Sequence, residues 1–199
     1  MGINAECCNE LASKACQESN LKKYFTETGV PFVSTGDRLW YSTGSKIYIN
    51  LPCSGPITVG AEEKMALWDS GAVFLKYPVL PEMPGYSSYL YVVSDKLYGL
   101  DSLTHHVRKE TVRSLKKCQV KRIPIKEILP VAPEIIADTH IRQGRQFDAG
   151  ILKEWMQSIE AAVDNPIFEC WAAFVGSRVG AFRINFTYRG GYYGDVLFN

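Results

Sequence analysis

The chain has no continuous apolar run of about eighteen residues, so a membrane-spanning helix is not expected. It has no Cys-x-x-Cys pair, although cysteines stand at positions 7, 8, 16, 53, 118 and 170. Paired zinc and redox motifs are thereby excluded. Cys7, Cys8 and Cys16, taken with His105 and His106, show no recognisable ligand spacing, and no metal is expected. There is no glycine-rich phosphate loop of the form G-x-G-x-x-G or G-x-x-x-x-G-K-[S/T]. Ser54 lies in no nucleophile elbow, and scattered serines, histidines and aspartates make no triad. The opening stretch MGINAECCNELASKACQ has no basic start followed by an apolar run. Glu6 stands where a myristoylation signal needs Ser or Thr. The expectation is a cytoplasmic protein with free thiols. A net charge of +1 announces neither a nucleic acid nor a membrane surface as the main partner.

What is present is ordinary globular material, 46% hydrophobic and 22% charged over 199 residues, enough for a real core and for one or two domains. No repeat of fixed period is visible. Residues 5–28 predict a helix, with Leu11, Ala15 and Leu21 on one face and a break near Ser19-Asn20. Strands are predicted at 30–34, 38–42 and 46–51, the last two joined by a hairpin turn at Ser42–Ser45 with Trp40 and Tyr48 as cross-strand aromatics. A short helix at 61–70, an apolar strand at 72–77 and a tyrosine-rich strand at 86–94 follow. A helix is predicted from Asp101 or Ser102 to about Lys117, a strand at 120–125 and a helix at 134–143. The mixture is α+β, and the proline cluster at 124–133 is the natural boundary.

The last fifty residues carry the clearest pattern. Ile151, Leu152, Trp155, Ile159, Ala162 and Val163 recur at helical spacing behind the candidate N-cap Asp148, and Asn165-Pro166 stops the helix. The runs FECWAAFV, VGAFRINFTY and YYGDVLFN are separated by Gly-Ser-Arg and Arg-Gly-Gly, which predicts a three-stranded antiparallel meander. Trp155, Trp171 and Phe182 are expected in its core.

A helix followed by WAAFVGSRVGAF and a third strand resembles the core of the GNAT acyltransferase fold, in the FemA/FemB/FemX-like or BioF2-like branch. The stretch Gly99–Leu103, the basic helix RKETVRSLKK and the strand Val120–Ile123 resemble that branch's upstream segment. The resemblance spans roughly residues 90–199. It implies a GNAT-like mixed or antiparallel sheet with flanking helices, as tandem halves: 1–125 an N-terminal half, 126–199 the first part of a C-terminal one. It implies an acyl- or aminoacyl-transferase using acetyl-CoA or another acyl donor, with tRNA as the one nucleic acid admitted, as an aminoacyl donor. The acceptor class is a small molecule, an amino-sugar, a peptide or a polysaccharide precursor. In the family the acyl-CoA pyrophosphate sits on a loop and helix N-terminus after the fourth strand. No such segment follows Asn199, so the expectation is a fragment that binds acetyl-CoA weakly.

The same resemblance makes Tyr192–Asn199 the fourth strand, whose backbone near Val196, Leu197 and Phe198 faces the acyl thioester. Asp195, the strand's only acid, becomes the candidate base, and Tyr193 a candidate proton donor or stacking group. Independently, seven cations and one acid in 108–122 give +6, leaving −5 for the rest of the chain. On the helix there, Lys109, Arg113, Lys116 and Lys117 share a side, while Val107 and Leu115 are expected to face the core. Arg108, Arg113 and Lys117, with Arg142 and Arg145 farther on, are the candidate substrate-binding cations. A solvated helix face explains the same cluster, and a non-catalytic module for an anionic ligand remains the alternative function. A nucleic-acid-binding domain is the third, without a recognised module to support it.

Overall fold

A computed structural model describes residues 5–53, 55–84 and 99–198, with backbone alone for 5–13 and 195–198. The tyrosine-rich strand expected at 86–94 lies outside the described residues. Helix α1 (Ala5–Thr28) runs without the break expected at Ser19-Asn20. The Asn20 amide bonds back to the Cys16 carbonyl at 2.9 Å, so its side chain joins the helix ladder rather than competing with it. Leu21, Tyr24 and Phe25 form the buried stripe. Gly29 ends the helix in the left-handed region at φ 69°, where a Cβ is disfavoured.

Strands β1 (Phe32–Thr35), β2 (Arg38–Ser42), β3 (Ile47–Leu51) and β4 (Phe74–Lys76) make the first sheet in that order. β1, β2 and β3 are antiparallel, whereas β4 runs parallel to β3 after helix α2 (Ala61–Asp69). Trp40 and Tyr48 are diagonal rather than directly opposed, because the register sets Trp40 against Asn50 and Ser42 against Tyr48. Both are buried with Val59, Leu67 and Ala72 in a small cluster beneath α2.

A 3₁₀ turn at Leu100–Ser102 leads into α3 (His105–Leu115) and β5 (Gln119–Ile123). Helices α4 (Ala132–Arg142) and α5 (Ala149–Ala162) follow, and then β6 (Phe168–Val175), β7 (Arg178–Tyr188) and β8 (Gly191–Phe198). The Asp148 carboxylate caps α5 by accepting from the Ile151 amide at 2.9 Å. The expected meander is present, and β5 adds to its free edge, so the second sheet is wholly antiparallel in the order β5-β6-β7-β8. Among the described residues the fold is thus α+β, five helices with one mixed and one antiparallel four-stranded sheet. No described helix is long and apolar enough to cross a membrane.

One large core binds these parts. α1, α4 and α5 cover the inner face of the second sheet, where Phe168, Cys170, Ala172, Phe182, Ile184 and Phe186 are buried. The same core takes Leu39 and Leu51 from the first sheet. α1 is the seam: Tyr24 meets Phe168 at a ring distance of 4.5 Å, and Phe25 stacks on Tyr41 at 5.1 Å. β5 and its partner β6 stand on opposite sides of residues 125/126, so the second sheet is continuous across that point.

Two expectations about burial are corrected. Trp171 is not in the core; it is 41% exposed on the sheet's outer face. Strand alternation turns 168, 170 and 172 inward and therefore 169 and 171 outward. Phe182 is buried as expected, and Trp155 packs half-buried against the core. Val107 and Leu115 do not face the core either: both are exposed, and α3 buries none of its residues.

Candidate functional site

The outer face of the second sheet gathers polar groups at successive outward positions. Pairing sets Glu169 opposite Asn185 and Trp171 opposite Arg183, and on the other side Arg122 of β5 faces Trp171. Tyr192 and Gly194 of β8 complete an open groove of about 570 Å³. Its centre is Glu169. One carboxylate oxygen accepts from the Trp171 indole N–H at 2.8 Å and from the Tyr192 hydroxyl; the other lies 3.3 Å from Arg122 Nε.

Electrostatics follow from these contacts. Burial works to raise the Glu169 pKa, but the hydrogen bonds from Tyr192 and Trp171 and the charge of Arg122 outweigh it and hold the carboxyl below its usual range. Tyr192 is pushed up to about 12, first by burial and then by its bond to the Glu169 carboxylate. Tyr192 therefore stays a proton donor and Glu169 an acceptor throughout the neutral range. Asn185 is only 3% exposed and lies against the Tyr192 hydroxyl on the groove floor. The Cys170 thiol, on the opposite face, is pushed up to about 12 by burial and is no nucleophile at neutral pH.

β8 carries the second feature. Ile184 pairs with Val196 and Asn185 with Gly194, so Asp195 is an extra residue, a bulge with no partner across the ladder. The Arg183 guanidinium lies over the neighbouring backbone, since a methyl group built on Gly194 would come within 1.7 Å of its nitrogen. Gly194 is what lets that cation cross the strand. Among the described residues Arg183 has no ion-pair partner.

The residues singled out from sequence are distributed as follows. Tyr193 faces inward, stacked on Phe186 at 5.2 Å, while its neighbour Tyr192 takes the groove position. Asp195 is the bulge residue and Val196, Leu197 and Phe198 continue the strand; their side chains lie outside the described set. Arg108 is held locally, donating to the Asp101 carbonyl at 2.8 Å and pairing with its carboxylate at 3.6 Å. Arg142 pairs with Asp138 at 2.9 Å within α4. Arg113, Lys117 and Arg145 are exposed. Of the basic segment only Arg122 pairs with a groove residue, Glu169.

Glu169, Trp171, Arg183, Asn185 and Tyr192 were missed from sequence as a set. The available signal was Glu169 between the core residues Phe168 and Cys170, which marks an outward position on a two-faced strand. A smaller apolar groove of about 420 Å³ runs between the exposed side of α3 and the edge strand β5, lined by Val107, Leu115 and Val120. Among the described residues, no cluster of His, Cys, Asp and Glu is placed to hold a metal. Compared with protein-family models, curated proteins and solved structures, the chain finds no match in any of the three.

Proposed function

We propose that the chain carries the acyl-handling half of an acyltransferase of GNAT-like type, passing an acyl or aminoacyl group from a thioester such as acetyl-CoA to an amine or hydroxyl acceptor. The observation that carries this reading is the bulge at Asp195. A bulge takes backbone polar groups out of the ladder and leaves them free to bind something else. It falls on the strand that the resemblance assigns to the thioester. The order strand, two helices, three antiparallel strands, from β5 through α4 and α5 to β8, supports the same reading.

In this reading the free N–H groups beside the bulge, toward Val196, Leu197 and Phe198, polarise the thioester carbonyl, and Arg183 adds a positive charge next to Gly194. The acceptor nitrogen or oxygen attacks the carbonyl carbon. The new C–N or C–O bond forms, the C–S bond breaks, the proton lost by the acceptor goes to a base, and the base passes it to the departing thiolate, which leaves as the thiol. Asp195 is the candidate base. Tyr192 rather than the core-packed Tyr193 is the hydroxyl on the acceptor side.

The test is thiol release from S-acetyl-N-acetylcysteamine, a short thioester that needs no pyrophosphate site, in the presence of glucosamine or glycinamide. The expected result is protein-dependent thiol release coupled to N-acetylation. Asp195→Asn removes the candidate base and keeps the backbone N–H, whereas Asp195→Pro removes both, at a bulge, where proline is tolerated. Losing one such donor costs on the order of a hundredfold or more in rate. No acylated acceptor above the protein-free control, with either amine, contradicts the proposal.

A further inference from the structure

We infer that the outer groove of the second sheet is a saccharide-binding subsite that seats a neutral pyranose ring against Trp171 and Tyr192. The inference rests on the side chains of the groove, not on the acyl-transfer reading, which uses the backbone of β8.

Two aromatic side chains stand exposed at one open groove, Trp171 at 41% and Tyr192 at 54%. Neither is free to turn away, because the Trp171 indole N–H and the Tyr192 hydroxyl both donate to Glu169. The bonds fix the rings and leave their surfaces open. A fixed aromatic surface beside polar groups suits a ligand with an apolar C–H face and a hydroxylated rim. The volume, about 570 Å³, lies within the usual range of small-ligand sites.

The polar inventory selects among ligands. Glu169 accepts two bonds, from Trp171 and Tyr192, pairs with the Arg122 charge, and keeps acceptor positions. Tyr192 spends its proton on Glu169, and its oxygen takes the donors of Trp171 and Asn185. Asn185, nine-tenths buried and more, offers both roles from the floor, and Arg183 offers donors. Sugar hydroxyls donate and accept in the same place and match this mixture. A phosphate is anionic and chiefly accepts: it would find Arg183, but Arg122 is already paired and the Glu169 carboxylate and Tyr192 oxygen oppose it. The comparison favours a neutral glycan over an anionic one.

The experiment titrates the ¹⁵N-labelled full chain with chitin, cellulose, starch and mannan oligosaccharides, with inorganic phosphate and ADP as competitors. The expected result is saturable binding of at least one oligosaccharide, with shifts at the Trp171 indole and the Asn185 side-chain amide. Trp171→Ala and Tyr192→Ala should each weaken it about tenfold or more, equivalent to about 1.4 kcal/mol. Trp68→Phe, an exposed tryptophan on α2, should leave it unchanged. Unchanged melting of the variants separates loss of binding from loss of fold, and the wild-type shift map stands without any variant. No binding of the four glycans at millimolar concentration, shifts confined to another face, or tighter binding of phosphate or ADP than of every glycan each overturns the inference. Thioester chemistry is read separately, so failure here leaves that result standing, and the reverse.

Discussion

The two sheets use the same polar device in opposite settings. In the first, Glu63 of α2 accepts from the Trp40 indole N–H at 2.8 Å, from the Thr35 hydroxyl at 2.6 Å and from Arg38 at 3.0 Å. In the second, Glu169 accepts from the Trp171 indole N–H at 2.8 Å and from the Tyr192 hydroxyl, and forms an ion pair with Arg122 at 3.3 Å. The carboxylates are about equally shielded, with side chains 12% and 17% exposed. What differs is the tryptophan: Trp40 is 0% exposed under α2, whereas Trp171 is 41% exposed, with no helix above it among the described residues. Under a helix, the carboxylate satisfies a buried indole and clamps α2 to the sheet. On an open face, water would satisfy the same indole, so its ordering needs another explanation, and ligand recognition supplies one.

The largest expected contrast is in stability. Glu63→Ala leaves the buried Trp40 N–H with only its longer bond to the Thr35 hydroxyl, at 3.2 Å, and removes three bonds to a carboxylate, and should cost about 3 kcal/mol in urea unfolding. Glu169→Ala exposes its partners to water and should cost less than about 1 kcal/mol. Equal losses would break the comparison, and Glu169 would be a second structural clamp.

The acid limb sharpens it. The Glu169 pKa is lowered in the folded protein, so its contribution is present above the ordinary glutamate value of 4.5 and lost as pH falls through the folded value. Glu18 behaves alike, lowered first by its hydrogen bond from Lys22 and, against burial, also by that from Arg189. Glu169→Gln should flatten part of the acid unfolding curve and leave the Glu18 part, as a pH series of thermal melts would show. An unaltered curve would mean that the groove contacts do not form in solution.

At alkaline pH the effect is smaller. Tyr188 and Tyr192 are both raised to about 12 from 10.0, chiefly by burial, so stability is full below pH 10 and falls as pH rises through about 12. Tyr192→Phe should remove one late-titrating phenol from absorbance at alkaline pH, with little loss of stability at neutral pH. The smallest effect is chemical: Cys16 is exposed and should alkylate in the native protein, whereas buried Cys170 should not.

Much of this fold was legible in the chain. The Asp148 cap, the spacing of Ile151, Leu152, Trp155 and Ile159, and two glycine-bearing turns placed α5 and the meander within a residue or two. These are local signals. β5 joining the meander and β4 running parallel to β3 were not legible, because both depend on pairing between distant residues. The groove was missed for the same reason: Glu169 and Tyr192 meet only through the register of three strands. The basic segment drew attention by its charge, yet most of those cations are solvated on α3 and just beyond it, and only Arg122, on a strand, pairs with a groove residue, Glu169. Charge density marks a surface, whereas strand alternation decides which face a residue serves.

The most direct test of the central claim, that the bulged edge of the outer sheet face is the working site, is an amide-shift titration of the ¹⁵N-labelled chain with S-acetyl-N-acetylcysteamine. The account predicts saturable shifts at the backbone of Gly194, Asp195, Val196, Leu197 and Phe198, with α3 unaffected. Shifts centred on α3, or none at thioester saturation of the solvent, would contradict it.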